Sequence, residues 1–169
     1  MSGTSLPRGT LRVATCDTDE TLEAASRLFN QYRHHYGEPH DADERTLGWL
    51  TTMVRSDMLT VFTASVDSPA NAPAIGLATA HAVPASLVMG QFWQLRDLYV
   101  LPGSRRRGAA AALVSAVREA ALAAGATRLS LVTEPDNEAA LGLYRRRGFR
   151  PVEGLASLSL DLAPHQVGE

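Results

Sequence analysis

The stretch "LYVLPGSRRRGAAAAL" (98–113) runs strand, turn and helix start in immediate succession. Apolar and β-branched residues stop at Pro102, which cannot donate to a sheet ladder, and an alanine run suited to helix begins just past Gly108. A strand delivered directly onto a helix amino terminus requires a sheet with a helix folded back over it. The junction also has chemical consequences. The first turn of a helix leaves backbone N–H groups without partners, and the helix dipole adds positive potential there. Such an end binds phosphate readily. Gly108 and the small side chains of Ala109 and Ala110 let an anion approach the backbone, and Arg105, Arg106 and Arg107 can reach further phosphates through charge-assisted hydrogen bonds. Taken alone, the same residues also suit a solvated basic loop ahead of a closely packed helix. No Gly-Lys-Ser/Thr follows, and no acid ends the next strand, "RLSLV", so neither a Walker turn nor a dinucleotide fingerprint is present.

The remaining pattern predicts the order β-α-α-β-β-β-α-β-α-β. "TLRVATC" (10–16) alternates as a strand, with Cys16 a small buried hydrophobe at its end. Thr18 is the expected N-cap of a helix with Asp19, Glu20 and Glu23 in its first turn and an apolar stripe of Leu22, Ala25, Leu28, Phe29, Tyr32 and Tyr36. Gly37 and Pro39 stop it, and Asp41 or Asp43 opens a second helix burying Leu47, Leu50 and Val54. Strands are expected at 58–67 and 74–83, joined by "SPANAP", and at 92–101. A helix from Arg105 to Ala124 closes on Gly125, "RLSLVT" (128–133) is a strand, and "EPDN" caps a helix over 137–147 that ends at Gly148. "LASLSLDL" (155–162) is the last expected strand. Strands alternating with helices in the second half imply parallel pairing and the hairpins antiparallel pairing, hence a mixed α/β (α+β) sheet covered by helices.

A chain of 169 residues is one domain, expected over 10–162 with flexible ends at 1–9 and 163–169. The net charge of −2 gives no global reason for nucleic-acid or anionic-membrane binding, and the acidic first half argues against nucleic acid on the arginine triplets. All basic residues are Arg, which reflects coding bias more than chemistry. One cysteine excludes an intrachain disulfide, and no signal or membrane-spanning pattern is seen, so the default location is cytoplasmic. His34, His35 and His40 lack any carboxylate–His helix spacing, so no metal is expected.

"VLPGSRRRGAA" (100–110) resembles the acetyl-coenzyme A signature of the GNAT N-acetyltransferase superfamily, with Arg105, Gly108 and Ala110 at its defining positions. About thirty residues on, "NEAALGLYRRRGF" (137–149) is similar to the family's second signature, Asn-x-x-Ala-x-x-x-Tyr-x-x-x-Gly-Phe. Both motifs occur in order on the helices they require. The resemblance implies a GNAT-like fold: a central, mostly antiparallel mixed sheet with splayed middle strands and about four helices. It implies direct acetyl transfer from acetyl-CoA, a cosubstrate, to a primary amine of a small molecule, amino acid, polyamine or peptide. The alternative is a non-catalytic sensor that binds CoA or acyl-CoA on the same fold.

In that reading Leu98, Tyr99 and Val100 bond the pantetheine arm, the 105–110 amides hold the pyrophosphate, and Arg106 or Arg107 reaches the 3′-phosphate. Tyr144 donates a proton to the departing thiolate, and Asn137 either bonds the cofactor arm or caps its helix. Some members place a glutamate base on the preceding strand, but Gln94 stands at that position here. Asp97 is the chosen substitute, although three residues later it faces the other side unless a bulge intervenes. Glu38, His35, His81 and a water relay are the other options. Residues 17–57 carry nine acids against four Arg, which would steer a cationic acceptor or simply form a solvated face. Members often dimerise through C-terminal strands, so a homodimer is admitted as a partner, though nothing in "LASLSLDL" specifies it.

Overall fold

The structure, a computed structural model, describes residues 10–39, 43–67 and 72–162. Within these, β1 (Leu11–Thr15), β2 (Thr60–Val66), β3 (Ala74–Ala85), β4 (Gly90–Val100) and β5 (Leu129–Leu131) form one sheet in chain order. The first three junctions are antiparallel and β5 joins β4 in parallel, which makes the mixed, mostly antiparallel sheet that was expected. Helices α1 (Asp19–His35) and α2 (Asp43–Arg55) pack on one face, and α3 (Ala109–Ala123) and α4 (Glu138–Arg146) on the other.

Strand alternation distributes the core between the two faces. On β3, Leu77 joins Leu22, Leu28, Leu50 and Val61 under α1 and α2, while Ala78 and Ala80 join Trp93, Leu95, Leu113, Val117 and Tyr144 under α3 and α4. Small residues on the second face let α3 lie close. The extreme case is Gly76, where a Cβ would meet Leu113 Cδ1 at 3.1 Å and the Tyr99 carbonyl at 3.2 Å. That contact sets the height of α3 above the end of β4.

Local chemistry explains the helix limits. Thr18 caps α1, its Oγ1 accepting from the Thr21 amide at 3.3 Å while Thr21 Oγ1 accepts from the Thr18 amide at 3.1 Å. Cys16 is buried just past β1, as expected. The expected helix start at Arg105 is corrected to Ala109. Pro102–Ser104 form a single 3₁₀ turn, and Arg106 (φ 63°) and Gly108 (φ 90°) then take left-handed conformations that no helix propagates. Asp43 opens the second helix; Asp41, part of the "SPANAP" turn, His40 and both expected flexible ends lie outside the described residues.

The expected strand over 155–162 does not form. Leu155, Leu158, Leu160 and Leu162 are 79–94% exposed, and no described strand pairs with the segment. Alternation encodes which face a strand would present, but it supplies no ladder partner.

A buried polar joint fixes α1 to α2. Asn30 Nδ2 donates to Asp43 Oδ1 at 2.8 Å, and Thr46 Oγ1 donates to Asn30 Oδ1 at 2.6 Å. Asn30 and Thr46 are both buried, so removing one member leaves the others short of partners. Asn30→Ala is therefore expected to cost about 2 kcal/mol of unfolding free energy in a urea titration. Thr46→Val, which deletes a single donor, should cost less.

Candidate functional site

β4 and β5 pair only through Trp93–Leu129, Gln94–Ser130 and Leu95–Leu131. Beyond them β4 continues to Val100, whereas the segment after β5 leaves the sheet at Val132 and enters α4. The β4 edge over 96–100 therefore has β3 on one side and a cleft on the other, among the described residues. Leu98, Tyr99 and Val100 stand on this edge. An extended, amide-rich ligand arm can add there as a strand would. One edge group is engaged: Arg105 Nε donates to the Val100 carbonyl at 3.0 Å. The same guanidinium carbon lies 5.9 Å from the Tyr99 ring centroid.

The cleft opens onto the start of α3. Gly108 at the N-cap position offers no side chain, and the backbone amides of Arg106 through Ala111 donate to no protein acceptor among the described residues. The next amide, Ala112, bonds the Gly108 carbonyl at 2.9 Å. Arg106 and Gly108 both take left-handed conformations, the kind of backbone from which anion-binding concavities of successive N–H groups are built. Arg106 carries this conformation without being glycine, a strain that collects at functional turns. Arg106 and Arg107 are exposed, Ala109 is buried and Ala110 half-buried, so the charges ring the turn and the small residues floor it.

On the sheet, the register shifts between Thr79 and Ala80: Thr79 pairs with Asp97 and Ala80 with Leu95, which leaves Arg96 as the extra residue. This is the bulge on which the reading of Asp97 depended. It returns Asp97 to the face of Gln94, His81 and Tyr99, beneath α1. Asp97 accepts hydrogen bonds from the Thr79 hydroxyl and from the Tyr32 phenol. Burial, with the charge of Asp97 next, pushes the Tyr32 phenol well above its ordinary range. His81 is half-buried on the same face, and burial together with Arg96 lowers its pKa.

Tyr144, on α4, is buried and packs edge-on against Phe149 with centroids 5.7 Å apart. Its phenol is pushed up by burial first and then by Tyr36 and Glu134, groups of the cleft rather than of the core. Asn137 takes the capping role: its Oδ1 accepts from the Ala140 amide at 3.2 Å. His35 stands near the cleft, its ring 6.0 Å from Tyr99, whereas Glu38 is exposed beyond the end of α1. Among the described residues no three His, Cys, Asp or Glu side chains gather as a metal-ligand set. No helix among them is long and apolar enough to cross a membrane.

Three groups were missed as site residues. Tyr32 and Tyr36 read as part of the apolar stripe of α1, yet Tyr32 reaches Tyr99 (5.9 Å) and Tyr36 (5.1 Å) across the cleft floor. Glu134 read as part of a capping turn. The available signal was position: Tyr36 falls at the C-terminal limit of its helix, and Glu134 at the carboxyl end of a strand parallel to its neighbour, where open sheets bind ligands.

Comparison with known proteins identifies the family and the fold. The sequence model described as "Acetyltransferase (GNAT) family" matches residues 19–149. An uncharacterised N-acetyltransferase of Bacillus subtilis, YhfO, is 30% identical over 139 residues, covering 82% of this chain and 90% of that protein. The crystal structure of a probable acetyltransferase superposes with a TM-score of 0.81 at 26% identity, covering 90% of this chain and 98% of the other. An aminoglycoside N-acetyltransferase crystallised with CoA shares the fold, with a TM-score of 0.71 at 23% identity over 92% of this chain and 99% of its own.

The cleft phenols make stability pH-dependent. Tyr32 and Tyr144 have native pKa values raised above the unfolded value of about 10, so their contribution is full below about pH 10 and is lost as pH rises further. The buried thiol of Cys16, also raised, acts in the same direction. The urea midpoint should fall between pH 8 and pH 11, and Tyr32→Phe should shrink that fall. A midpoint that stays constant to pH 11 would contradict the placement of these groups.

Proposed function

The chain belongs to the acetyltransferase (GNAT) family and is an acyltransferase, and from that premise we propose that it moves an acetyl group from acetyl-CoA directly to a primary amine. The observation that carries this reading is the coincidence of three features along one cleft: backbone amides at the start of α3 that donate to no protein acceptor among the described residues, the unpaired edge of β4, and the phenol of Tyr144.

The diphosphate binds the amides of Arg106 through Ala110, where charge-assisted hydrogen bonds and the helix dipole act together; the Arg105 amide is engaged by the Pro102 carbonyl. Arg106 and Arg107 lie at the rim for the 3′-phosphate. The pantetheine arm extends along Leu98–Val100, which carries the thioester down the cleft toward the bulge and the end of α4. The amine nitrogen attacks the thioester carbonyl carbon, the carbon–sulfur bond breaks, and the departing sulfur takes the proton of the Tyr144 hydroxyl; the nitrogen, cationic once bonded to carbon, returns its surplus proton through water to the phenolate, which restores the phenol. The raised pKa of that phenol keeps it protonated at neutral pH, as a donor must be. An alkylammonium near pKa 10 is not a nucleophile, so a proton must leave it first. Asp97, brought to this face by the bulge, takes it directly or through water.

Two substitutions test this arrangement. Tyr144→Phe should lower kcat about a hundredfold in a thiol-release assay while calorimetric CoA affinity holds. Unchanged turnover would remove Tyr144 from the chemistry. Gly108→Val imposes a branched side chain at φ 90° on the turn that presents the amides. It should weaken CoA binding at least tenfold, and unaltered affinity would place the diphosphate elsewhere.

A further inference from the structure

The groups lining the cleft differ in depth. Tyr144 is buried and Asp97 and Tyr32 are half-buried, whereas Tyr36 (56% exposed) and Glu134 stand at the rim. The strand register explains why Glu134 is there. Leu131, level with Leu95, is the last paired residue, and Val132 and Thr133 carry the chain away from β4 on the far side of its open edge. The turn closed by the Asn137 amide on the Glu134 carbonyl (3.2 Å) then redirects it into α4. From across the cleft the C-terminal turn of α1 brings Tyr36, whose ring packs against Tyr32 (5.1 Å) and His35 (5.4 Å). The rim thus combines a carboxylate with an aromatic ring, and both attract a cation.

The charges facing this point can be counted. Glu134 acts on the phenols of Tyr32, Tyr36 and Tyr144, one from the cleft floor, one from the rim and one from the opposite helix. Asp97 lies below it, already accepting from Thr79 and Tyr32. Among the described residues Arg105 is a cation acting on Tyr36, and its guanidinium is bonded to the Val100 carbonyl. Glu134 and Asp97 thus add negative charge beside these phenols, while that guanidinium is already engaged.

We infer that Glu134, with the ring of Tyr36, is an outer station for a cationic group of the acceptor other than the nitrogen that is acetylated, so the acceptor class is an aliphatic amine carrying a second positive charge. This rests on the transferase reading above and assigns its acceptor end. The reacting nitrogen must be neutral and lie deep, near Tyr144 and Asp97, so a permanent cation on the same molecule needs its own anchor. Glu134 is the carboxylate at the rim. It binds and selects; it takes no part in bond making.

The test uses the intact chain, thiol-release kinetics, and 1,4-diaminobutane and n-butylamine as probes, with calorimetry of CoA in parallel. The wild-type protein should favour the diamine at least tenfold in kcat/KM. Glu134→Gln should raise the diamine KM at least fivefold, leave its kcat and the butylamine parameters within twofold, and leave CoA affinity unchanged. Glu134→Asp should restore part of the preference. An unmoved diamine KM in Glu134→Gln, or a wild-type protein that binds CoA yet shows no preference or acetylates neither amine, overturns this assignment alone. A wild-type protein that fails to bind CoA overturns the transferase reading, and this inference with it.

Discussion

The uncapped amino end of α3 is the constraint around which the rest of the structure is arranged. Helix ends of this kind are commonly closed by a Ser, Thr, Asp or Asn side chain, as Thr18 closes α1 and Asn137 closes α4. At α3 that position is Gly108 in a left-handed conformation, preceded by Arg106 in another. The amides are left facing the cleft. Holding them there requires a rigid platform, and the fully buried side chains of Leu113, Val114 and Val117 anchor the helix on the sheet. Gly76 allows the close approach that brings its first turn level with the end of β4.

The parting of β4 from β5 supplies the second half of the design. Parallel pairing for three residues is enough to fix the register but leaves the upper part of β4 without a neighbour. An unpaired edge inside a protein is a liability unless something adds to it. Here the edge runs from the bulge at Arg96 toward the turn that presents the unpaired amides, so one extended ligand can satisfy both. The bulge itself re-aims Asp97 to the α1 side, where Thr79 and Tyr32 hold it. The stretches proposed for the anion, the arm and the proton therefore follow one another along one strand and its turn.

Much of this was legible in the residues because it depends on local rules. The strand–turn–helix junction, the Thr18 cap, and the glycine stops at 37, 125 and 148, all with positive φ, follow from near neighbours in sequence. The features that were not legible depend on pairing. Whether Asp97 shares a face with Gln94 is decided by how β4 meets β3, which no periodicity in β4 alone records. Glu134 gains significance only when β5 is seen to lie parallel to β4 and to end early. Asn137 could be read two ways, and its bond to the Ala140 amide is the capping one. The leucine alternation at 155–162 marks a potential strand, but a strand is defined by its partner, and the segment has none among the described residues.

The physical claim beneath all of this is that backbone amides at the start of α3 grip a diphosphate. Calorimetry of the intact protein with CoA, beside pantetheine, which lacks the diphosphate and the nucleotide, probes it directly. A site built on those amides should bind CoA at least a hundredfold more tightly than pantetheine, with an affinity that weakens as salt is added. Equal affinities for the two, insensitive to salt, would show that the amides of Arg106 through Ala111 hold nothing.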